Sequence, residues 1–304
     1  MKFYSNGKLL LTGEYAVLDG AKALALPTQF GQSLEVEANQ SDALNWTSLD
    51  ENGKPWFEGG FQFINNSFQL TSERSQVGEK LESILNEAQN LNPEIITEEN
   101  RGYNITTRLD FNRNWGLGTS STLVNNIAEW FKIDAYKLLK NTFGGSGYDL
   151  AAAQNRQAIT YQLTASGASV LKTDFLPHFS ENIFFVYLNE KKNSREAINH
   201  YRELPKRNKE GLIDKISSLT EQFISCDNLN EFELLMNIHE TLIAKTLELP
   251  KIKQERFPDF PGAIKSLGGW GGDFIMVTGN KETVFDYFNK KGFLTIFEFK
   301  KLIF

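Results

Sequence analysis

The segment Trp115-Gly116-Leu117-Gly118-Thr119-Ser120-Ser121-Thr122 places a glycine-rich turn immediately before a helical pattern of apolar residues. Glycines let backbone amides approach phosphate oxygens, because no Cβ stands in the way. The N-terminus of the following helix adds unpaired N–H groups and the positive end of its dipole. The segment therefore predicts a phosphate-binding loop, although a serine- or threonine-capped helix after a tight turn would give a similar pattern.

Two further glycine-rich segments accompany this loop. Gly144 to Gly147 leads into a helical segment, Tyr148 to Asn155, whose second residue is Asp149. An aspartate in the first turn of a helix is ordinary, yet a carboxylate there is also placed to orient or deprotonate a hydroxyl group. Gly268 to Gly272 runs directly into an apolar strand pattern, Phe274 to Val277, which indicates a backbone that something approaches closely. A flexible loop is the alternative interpretation.

Hydrophobic periodicity predicts strands and helices along the rest of the chain. The predicted strands are Leu9 to Leu11, Ser33 to Glu37, a strand–turn–strand over residues 41–60, Tyr103 to Leu109, Ile183 to Leu188, and Phe293 to Phe297. The predicted helices, besides the two that follow the glycine loops, are Gln76 to Gln89, Leu212 to Phe223, Glu231 to Leu247, and Glu282 to Asn289. The early half is rich in strands, and the late half reads helix–helix–strand–helix–strand.

Composition narrows the class of protein. The 304 residues are 40% hydrophobic and 23% charged, which is ordinary for a soluble enzyme. The net charge of −6 argues against nucleic acid as a partner, because proteins that bind nucleic acid usually present a basic face. The single cysteine, Cys226, excludes an intrachain disulfide and a cysteine-based zinc site. No apolar stretch has the length of a signal peptide or a membrane span, so we expect a cytoplasmic protein with no membrane partner.

The order and spacing of these segments resemble the three motifs of the GHMP kinases. The opening segment from Ser5 to Leu18 is similar to their first motif, Gly116 to Ser121 to their second, and Gly268 to Gly272 to their third. The resemblance runs from Lys8 to Asp273, and therefore covers nearly the whole chain.

This resemblance implies an α+β fold of two domains. The N-terminal domain, residues 1–170, would be similar to the second domain of ribosomal protein S5 and would carry motifs one and two. The C-terminal domain, residues 171–304, would be a ferredoxin-like α/β domain that carries motif three. The cofactors implied are ATP and Mg²⁺, and the implied activity is transfer of a phosphoryl group to a small molecule.

The resemblance also assigns roles to individual residues. Lys8 and Asp149 match the catalytic pair of the family. The implied ATP-binding residues are Trp115, Gly116, Leu117, Gly118, Thr119, Ser120, Ser121, Gly269 and Gly271. Ser121, or Ser120 beside it, would reach the magnesium ion. The implied substrate-binding residues are Glu14, Ser146, Tyr148, Arg195, Lys265 and His239.

Details favour phosphomevalonate kinases over mevalonate kinases within the superfamily. Mevalonate kinases usually have a histidine after the Gly-Glu of motif one, where this chain has Tyr15. Gly145 to Asp149 is similar to the Gly-Ser-Gly-Phe-Asp of phosphomevalonate kinases, and Asp273 ends motif three where mevalonate kinases usually have glycine. A phosphorylated acceptor would need cations. Lys191, Lys192 and Arg195 follow the predicted strand Ile183 to Leu188, where a solvated charged turn is the alternative, and Asn193 to Arg195 lies where related enzymes have a substrate loop.

The chain also departs from the family pattern. Asn6 replaces a proline that is common before Gly7, Thr119 replaces a serine, and Trp270 occupies a position that is normally small. The stretch Tyr136 to Lys140 has no carboxylate where mevalonate kinases place a magnesium ligand. We therefore expect magnesium to be held mainly by nucleotide phosphates, a serine and water.

Several alternatives stay open. The acceptor is phosphomevalonate or mevalonate, and the protein is a monomer or a homodimer. A diphosphomevalonate decarboxylase-like enzyme has the same fold, and a non-catalytic regulator would also bind nucleotide. The retained Lys8, Ser121 and Asp149 argue against the regulator. His239 lies on the apolar stripe of its predicted helix, where a histidine is more often a core residue than a ligand.

Overall fold

The computed structural model describes residues 1–191 and 194–304, and for Ser194 and Arg195 it describes the backbone alone. The strands are β1 (Lys2–Thr12), β2 (Ala23–Ala38), β3 (Ala43–Leu49), β4 (Pro55–Ile64), β5 (Ser67–Leu70), β6 (Tyr103–Leu109), β7 (Ile159–Thr164), β8 (Gly167–Lys172), β9 (Ile183–Tyr187), β10 (Ile264–Leu267), β11 (Phe274–Thr278) and β12 (Ile296–Glu298). The helices are α1 (Gln76–Leu91), α2 (Thr119–Phe131), α3 (Ala135–Thr142), α4 (Tyr148–Ala153), α5 (Ser194–Glu203), α6 (Leu212–Ser225), α7 (Leu229–Leu247), α8 (Ile252–Arg256), α9 (Lys281–Lys290) and α10 (Phe299–Leu302). This mixture of largely antiparallel sheets and helices confirms the predicted α+β class.

The chain divides into two compact units that are interleaved in sequence. The first unit is Met1–Gly7, Phe30–Arg113 and Gly118–Gln154, and the second is Lys8–Gln29, Asn114–Leu117 and Asn155–Phe304. The predicted domains, 1–170 and 171–304, are a consecutive division of the same chain and stay a prediction.

In the first unit, helices pack on a sheet of order β5-β4-β3-β6-β2. The pairing of β3 with β6 is parallel, and the other pairings along this order are antiparallel. Helices α1 to α4 contribute apolar side chains to one core with the strands, including Leu81, Ile127, Trp130 and Leu138. α1 begins at Ser75, whose side chain accepts a hydrogen bond from the Gly78 amide.

In the second unit, a four-stranded antiparallel sheet has the order β10-β11-β9-β12. β9 and β11 consist of buried residues throughout, because they are the two central strands. β10 is an edge strand that pairs only with β11 among the described residues, and helices α7 and α8 pack beside it. The unit also contains the β7–β8 hairpin, which pairs with Ala23 to Ala25 of β2.

Most predicted elements are confirmed and differ from the structure at their ends, whereas β5, β7, β8, β10, α3, α5, α8 and α10 were not predicted. The predicted strand at Leu9 to Leu11 is the centre of β1, and the predicted strand at Ser33 to Glu37 is the last part of β2. The prediction that the final strand begins at Phe293 is wrong, because β12 begins at Ile296. The Phe293 amide instead donates to Phe288 O at the end of α9, and its ring packs on the core.

Candidate active site

Lys8 lies against the start of the predicted phosphate loop. Its Nζ donates to the Gly116 carbonyl at 2.8 Å, and its backbone amide donates to the Leu117 carbonyl at 2.9 Å. Both bonds lie within the second unit. β1 thus carries the lysine directly to the loop, and the side chain is only half-buried there.

Asp273 occupies the space that the glycines of two motifs leave open. A Cβ added to Gly116 would lie 2.7 Å from Asp273 Cγ, and one added to Gly268 would lie 2.8 Å from Asp273 Oδ2. Asp273 itself has a φ of 53° and is held by its amide, which donates to the Glu190 carbonyl at 2.8 Å. Its carboxylate accepts from the Gly269 amide at 3.4 Å. Motif three therefore meets the first glycine of motif two through this carboxylate.

Trp115 is an anchor for the same loop. Its ring contacts Tyr187, Phe274 and Phe297, with centroid distances of 6.5, 6.2 and 5.1 Å. The Tyr187 hydroxyl donates to the Asn114 carbonyl at 3.2 Å. Aromatic contacts of this kind fix the residue before Gly116 on β9, β11 and β12 of the four-stranded sheet.

α2 begins at the end of the phosphate loop and has no side-chain cap. Gly118 is the N-cap residue and has a left-handed φ of 95°, which glycine adopts without strain. Ser121 is buried and its hydroxyl donates to the Gly118 carbonyl at 2.9 Å, whereas Ser120 is exposed. An uncapped helix N-terminus that follows a glycine fits the phosphates of a nucleotide.

Asp149 lies in the first turn of α4, after Gly147 with a φ of 88°. It is half-buried, and Oδ1 accepts from the Leu150 amide at 3.0 Å. Burial, followed by the negative charges of Asp149 and Asp134, raises the pKa of Tyr136 to about 12. The Tyr136 hydroxyl is therefore neutral near pH 7.

Glu14, Lys265 and His239 form a buried polar cluster. Lys265 Nζ donates to Glu14 Oε1 and, at 3.0 Å, to the Ser266 carbonyl, although its side chain is 1% exposed. The Gly13 amide donates to His239 Nε2 at 3.3 Å, and Glu14 Oε2 lies 3.2 Å from the same nitrogen. Burial, and then the Lys265 charge, lowers the pKa of His239 well below its usual value, so the imidazole is neutral.

Glu240 completes this cluster from α7. Its Oε1 accepts from the Ser266 amide at 2.6 Å, and among the described residues its Oε2 has no hydrogen-bond partner. Burial is the main cause that raises the pKa of Glu240 to about 7, and the nearby Glu14 adds to the rise while Lys265 and the Ser266 amide oppose it. Burial also raises the pKa of Glu14. We refer to Glu14, His239, Glu240, Lys265 and Ser266 as the buried cluster.

Tyr15 holds the middle of motif three. Its hydroxyl accepts from the Trp270 amide at 3.0 Å, and its ring stacks on Tyr201 with centroids 5.6 Å apart. Tyr15 has a φ of 61°, which is strained for a non-glycine residue. Trp270 Nε1 donates to the Pro250 carbonyl at 3.0 Å. The backbone amide and the indole ring of Trp270 are thus both hydrogen-bonded to other residues of the second unit.

The comparisons with known proteins bear on the fold. No family model and no curated protein matches the sequence. Several solved structures do match. The mevalonate kinase of Methanococcus jannaschii matches with 18% identity, a TM-score of 0.68, and 98% of this chain and 96% of that chain covered. Phosphomevalonate kinase of Streptococcus pneumoniae, in complex with phosphomevalonate and AMPPNP, matches with 16% identity, a TM-score of 0.71, and 98% and 99% covered. Lactococcus lactis galactokinase, complexed with galactose, matches with 13% identity, a TM-score of 0.70, and 97% and 92% covered.

The chain has the GHMP kinase fold. The likeness extends over nearly the full length of each of these structures. Within this GHMP fold, the structure brings together two groups of the residues that the motifs predicted. Lys8 meets Gly116, and Glu14 meets Lys265 and His239, within the second unit. Gly118, Thr119, Ser120 and Ser121 follow one another at the start of α2 in the first unit.

The predicted substrate-binding residues differ in how the GHMP fold presents them. Ser146 and Tyr148 flank Gly147 beside Asp149 and are half-buried. Glu14, Lys265 and His239 are buried and engaged with one another, so direct contact of these three with an acceptor stays a prediction. The side chain of Arg195, like all of Lys192, lies outside the described residues.

The sequence reasoning missed Glu240 and the position of Asp273 between two glycines. Glu240 carries a signal, since it lies three and four residues from the apolar Ile243 and Met236 and therefore on the buried stripe of α7. Among the residues that the structure describes, no group of three or more His, Cys, Asp or Glu side chains could hold a metal ion. In the same part of the chain, no helix is long and apolar enough to cross a membrane.

We predict that breaking the Glu14–Lys265 pair is costly. Lys265→Met would leave Glu14 buried without its partner, so we expect the free energy of unfolding to fall by about 3–5 kcal/mol. Urea denaturation of Lys265→Met, Glu14→Gln and the double variant measures this. The double variant should lose less than the sum of the single variants. Strict additivity would contradict a direct interaction.

Glu240 should make stability depend on pH. Because its pKa is raised from 4.5 to about 7 in the folded state, the folded protein binds a proton more tightly than the unfolded chain. The free energy of unfolding should therefore fall as pH rises from 5 to about 7, with a slope of up to ~1.4 kcal/mol per pH unit from this group. Glu240→Gln should flatten the profile and be more stable than the wild type at pH 8. Parallel profiles would show that Glu240 does not titrate in this range.

Proposed function

We propose that this protein is an ATP-dependent small-molecule kinase that phosphorylates an isoprenoid precursor, with phosphomevalonate as the preferred acceptor. The observation that supports it most is the arrangement of Lys8, Gly116 and Asp273 at a glycine-rich loop that leads into an uncapped helix. Lysine, glycine amides and a helix N-terminus are the groups that bind and stabilise transferring phosphates. The fold shared with mevalonate, phosphomevalonate and galactose kinases supports the same proposal.

In the proposed reaction, an acceptor oxygen attacks the γ-phosphorus of ATP, and the bond to the β–γ bridging oxygen breaks to release ADP. The amides of Gly118 to Ser121 would bind the phosphates. Lys8 would stabilise the negative charge of the transferring phosphoryl group, because its ammonium is fixed at the loop by the Gly116 carbonyl. Catalysis of this kind is mainly positioning and charge neutralisation.

Magnesium would neutralise phosphate charge when it is bound with ATP. The hydroxyls of Ser120 and Ser121 are the groups of the loop that fit it. Ser120 is exposed, and Ser121 Oγ keeps a lone pair while it donates to Gly118. With no carboxylate cluster in the described residues, the nucleotide and water would supply the other ligands.

Asp149 would hold the acceptor oxygen. A phosphate acceptor needs no general base near pH 7, because its second pKa is about 6. On the phosphomevalonate proposal, Asp149 is therefore a positioning group. On the mevalonate alternative, it would accept the proton of the hydroxyl nucleophile.

The acceptor phosphate would be met by cations close to β9. Lys191 is exposed, and it immediately precedes the segment that contains Lys192 and Arg195. Lys265 is a weaker candidate for this contact, because its ammonium is buried and bonded to Glu14. We propose a cytoplasmic protein that acts on a small molecule, either as a monomer or as a homodimer.

A coupled ADP-release assay across mevalonate, phosphomevalonate, diphosphomevalonate, homoserine and galactose, with carbon dioxide measured in parallel, tests the proposed function. Rapid turnover of phosphomevalonate with no release of carbon dioxide is the expected result. Release of carbon dioxide from diphosphomevalonate would favour the decarboxylase-like alternative. ATP binding with no turnover of any acceptor would favour a non-catalytic regulator.

Gly118→Ala should weaken ATP binding by about tenfold or more, because a Cβ would stand where the backbone approaches the phosphates. The new residue is also strained at this left-handed φ, so a matched control is needed. Gly53→Ala is that control: Gly53 has a φ of 78° and no atom within 4 Å of an added Cβ. Titration with a fluorescent ATP analogue should show a loss for Gly118→Ala and wild-type affinity for Gly53→Ala. If both variants bind the ATP analogue with equal affinity, the loop is not part of the ATP site.

Arg195→Ala should raise the KM for phosphomevalonate by about one to two orders of magnitude, which corresponds to loss of a charge-assisted hydrogen bond of about 1.5–3 kcal/mol. The KM for ATP should hardly move. Arg202→Ala removes the same charge from the same helix, α5, and should leave both constants unchanged. If the wild type prefers mevalonate and Arg195→Ala leaves its KM untouched, the mevalonate alternative replaces the phosphomevalonate one.

A further inference from the structure

The edge of strand β10 is held by a carboxylate and not by another strand. β10 pairs with β11 on one side, and α7 lies beside it on the other. The Ser266 amide donates to Glu240 Oε1 at 2.6 Å, a short bond to an acceptor that is 1% exposed. An unpaired amide on a buried edge costs roughly 1–3 kcal/mol, so Glu240 satisfies a group that the sheet leaves open.

β10 leads directly into the glycine-rich loop of motif three. Ser266 is only two residues before Gly268, so a shift of the Ser266 backbone moves the loop. Lys265 Nζ donates to the Ser266 carbonyl and to Glu14, and thereby holds the carbonyl group of the residue whose amide Glu240 accepts. The Ser266 peptide groups are therefore held by two buried side chains, one from α7 and one from β10 itself.

The loop Gly268 to Gly272 in turn contacts the phosphate loop. At its end, Asp273 fills the space beside Gly116 and Gly268. Gly116 in turn accepts the hydrogen bond from Lys8 Nζ. Within the second unit, Glu240 thus contacts Ser266, the chain continues from Ser266 to Gly268, and Asp273 connects Gly268 with Gly116, which binds Lys8.

We infer that Glu240 is a positioning residue for phosphoryl transfer, which fixes the glycine-rich loop Gly268 to Gly272 through the Ser266 amide. The inference rests on the proposed kinase function for its catalytic consequence, while its structural part stands alone. Glu240 touches neither ATP nor acceptor in this account. The groups that face its carboxylate are Lys265 and Ser266 from β10 and Glu14 from the end of β1, and His239 precedes it on α7.

Hydrogen exchange measures the structural part without any activity. In Glu240→Met, which keeps the length of the side chain but removes the acceptor, exchange of the segment 264–273 should accelerate about tenfold or more. Glu240→Gln keeps an acceptor oxygen and should exchange like the wild type. Glu233→Met is the matched control, because Glu233 is on the same helix and accepts from Thr278 Oγ1, near the opposite end of β10. Acceleration in both methionine variants alike, or in neither, would overturn the inference.

Steady-state kinetics test the catalytic part of the inference, because kcat and KM should respond differently. Glu240→Met should lower kcat about ten- to hundredfold, because displacement of the loop Gly268 to Gly272 misaligns the phosphates, and the acceptor KM should change little. Glu240→Gln should recover most of kcat, and Glu233→Met should keep it. A wild type without turnover would refute the proposed function and leave the exchange result to decide the positioning role. Accelerated exchange with an unchanged kcat would refute the catalytic role of Glu240.

If Glu240→Met does not fold, the wild type still decides the question. Amide-resolved exchange should show Ser266 protected, although its N–H faces the edge of β10 that has no partner strand. Protection that disappears in Glu233→Met, or a Ser266 amide that exchanges as fast as an exposed one, would contradict the role of Glu240.

Discussion

The position of motif three depends on a buried ion pair between Glu14 and Lys265, two residues that are 251 positions apart. Two opposite charges in a protein interior are stabilising only when they are close and hydrogen-bonded, because both have lost their hydration. The pair therefore fixes the distance between the end of β1 and the start of motif three. Lys8 on β1 and Asp273 at the end of motif three both contact Gly116, and both belong to segments that this pair joins.

The regular elements were predictable where a single period dominates. Tyr103–Leu109 alternates cleanly and is β6, and the helical spacing after Gln76 gives α1. β2 is longer than its pattern indicates, because Pro27 and Gly31 interrupt the alternation, whereas in the structure they lie within the strand. β10 was missed because Lys265 and Ser266 look like surface residues in sequence. Their burial depends on Glu14 and Glu240, which no local pattern connects to them.

The candidate site shows the same division. Lys8, Gly118 and Asp149 could be identified because their motifs are local and contain glycines where the backbone has a positive φ or a helix begins. The contact of Asp273 with Gly116 could not, since it joins two motifs that are far apart in sequence. The burial of Lys265 could not be predicted either. A lysine beside a glycine-rich motif suggests a substrate contact, and only the packing shows that its charge is already paired.

A loop of glycines cannot hold itself in one conformation. Glycine loses more conformational freedom on folding than any other residue, and it has no side chain with which to pack. The loop Gly268 to Gly272 is instead held from outside, by Glu240 before it, by the Tyr15 hydroxyl at Trp270, and by Asp273 after it. Each of these contacts has an energetic cost. Glu240 is a buried carboxylate with a raised pKa, and Tyr15 and Asp273 each have a positive φ. A core selected for stability alone would replace such groups by apolar ones. Their presence together around one loop holds the backbone amides of that loop in one position.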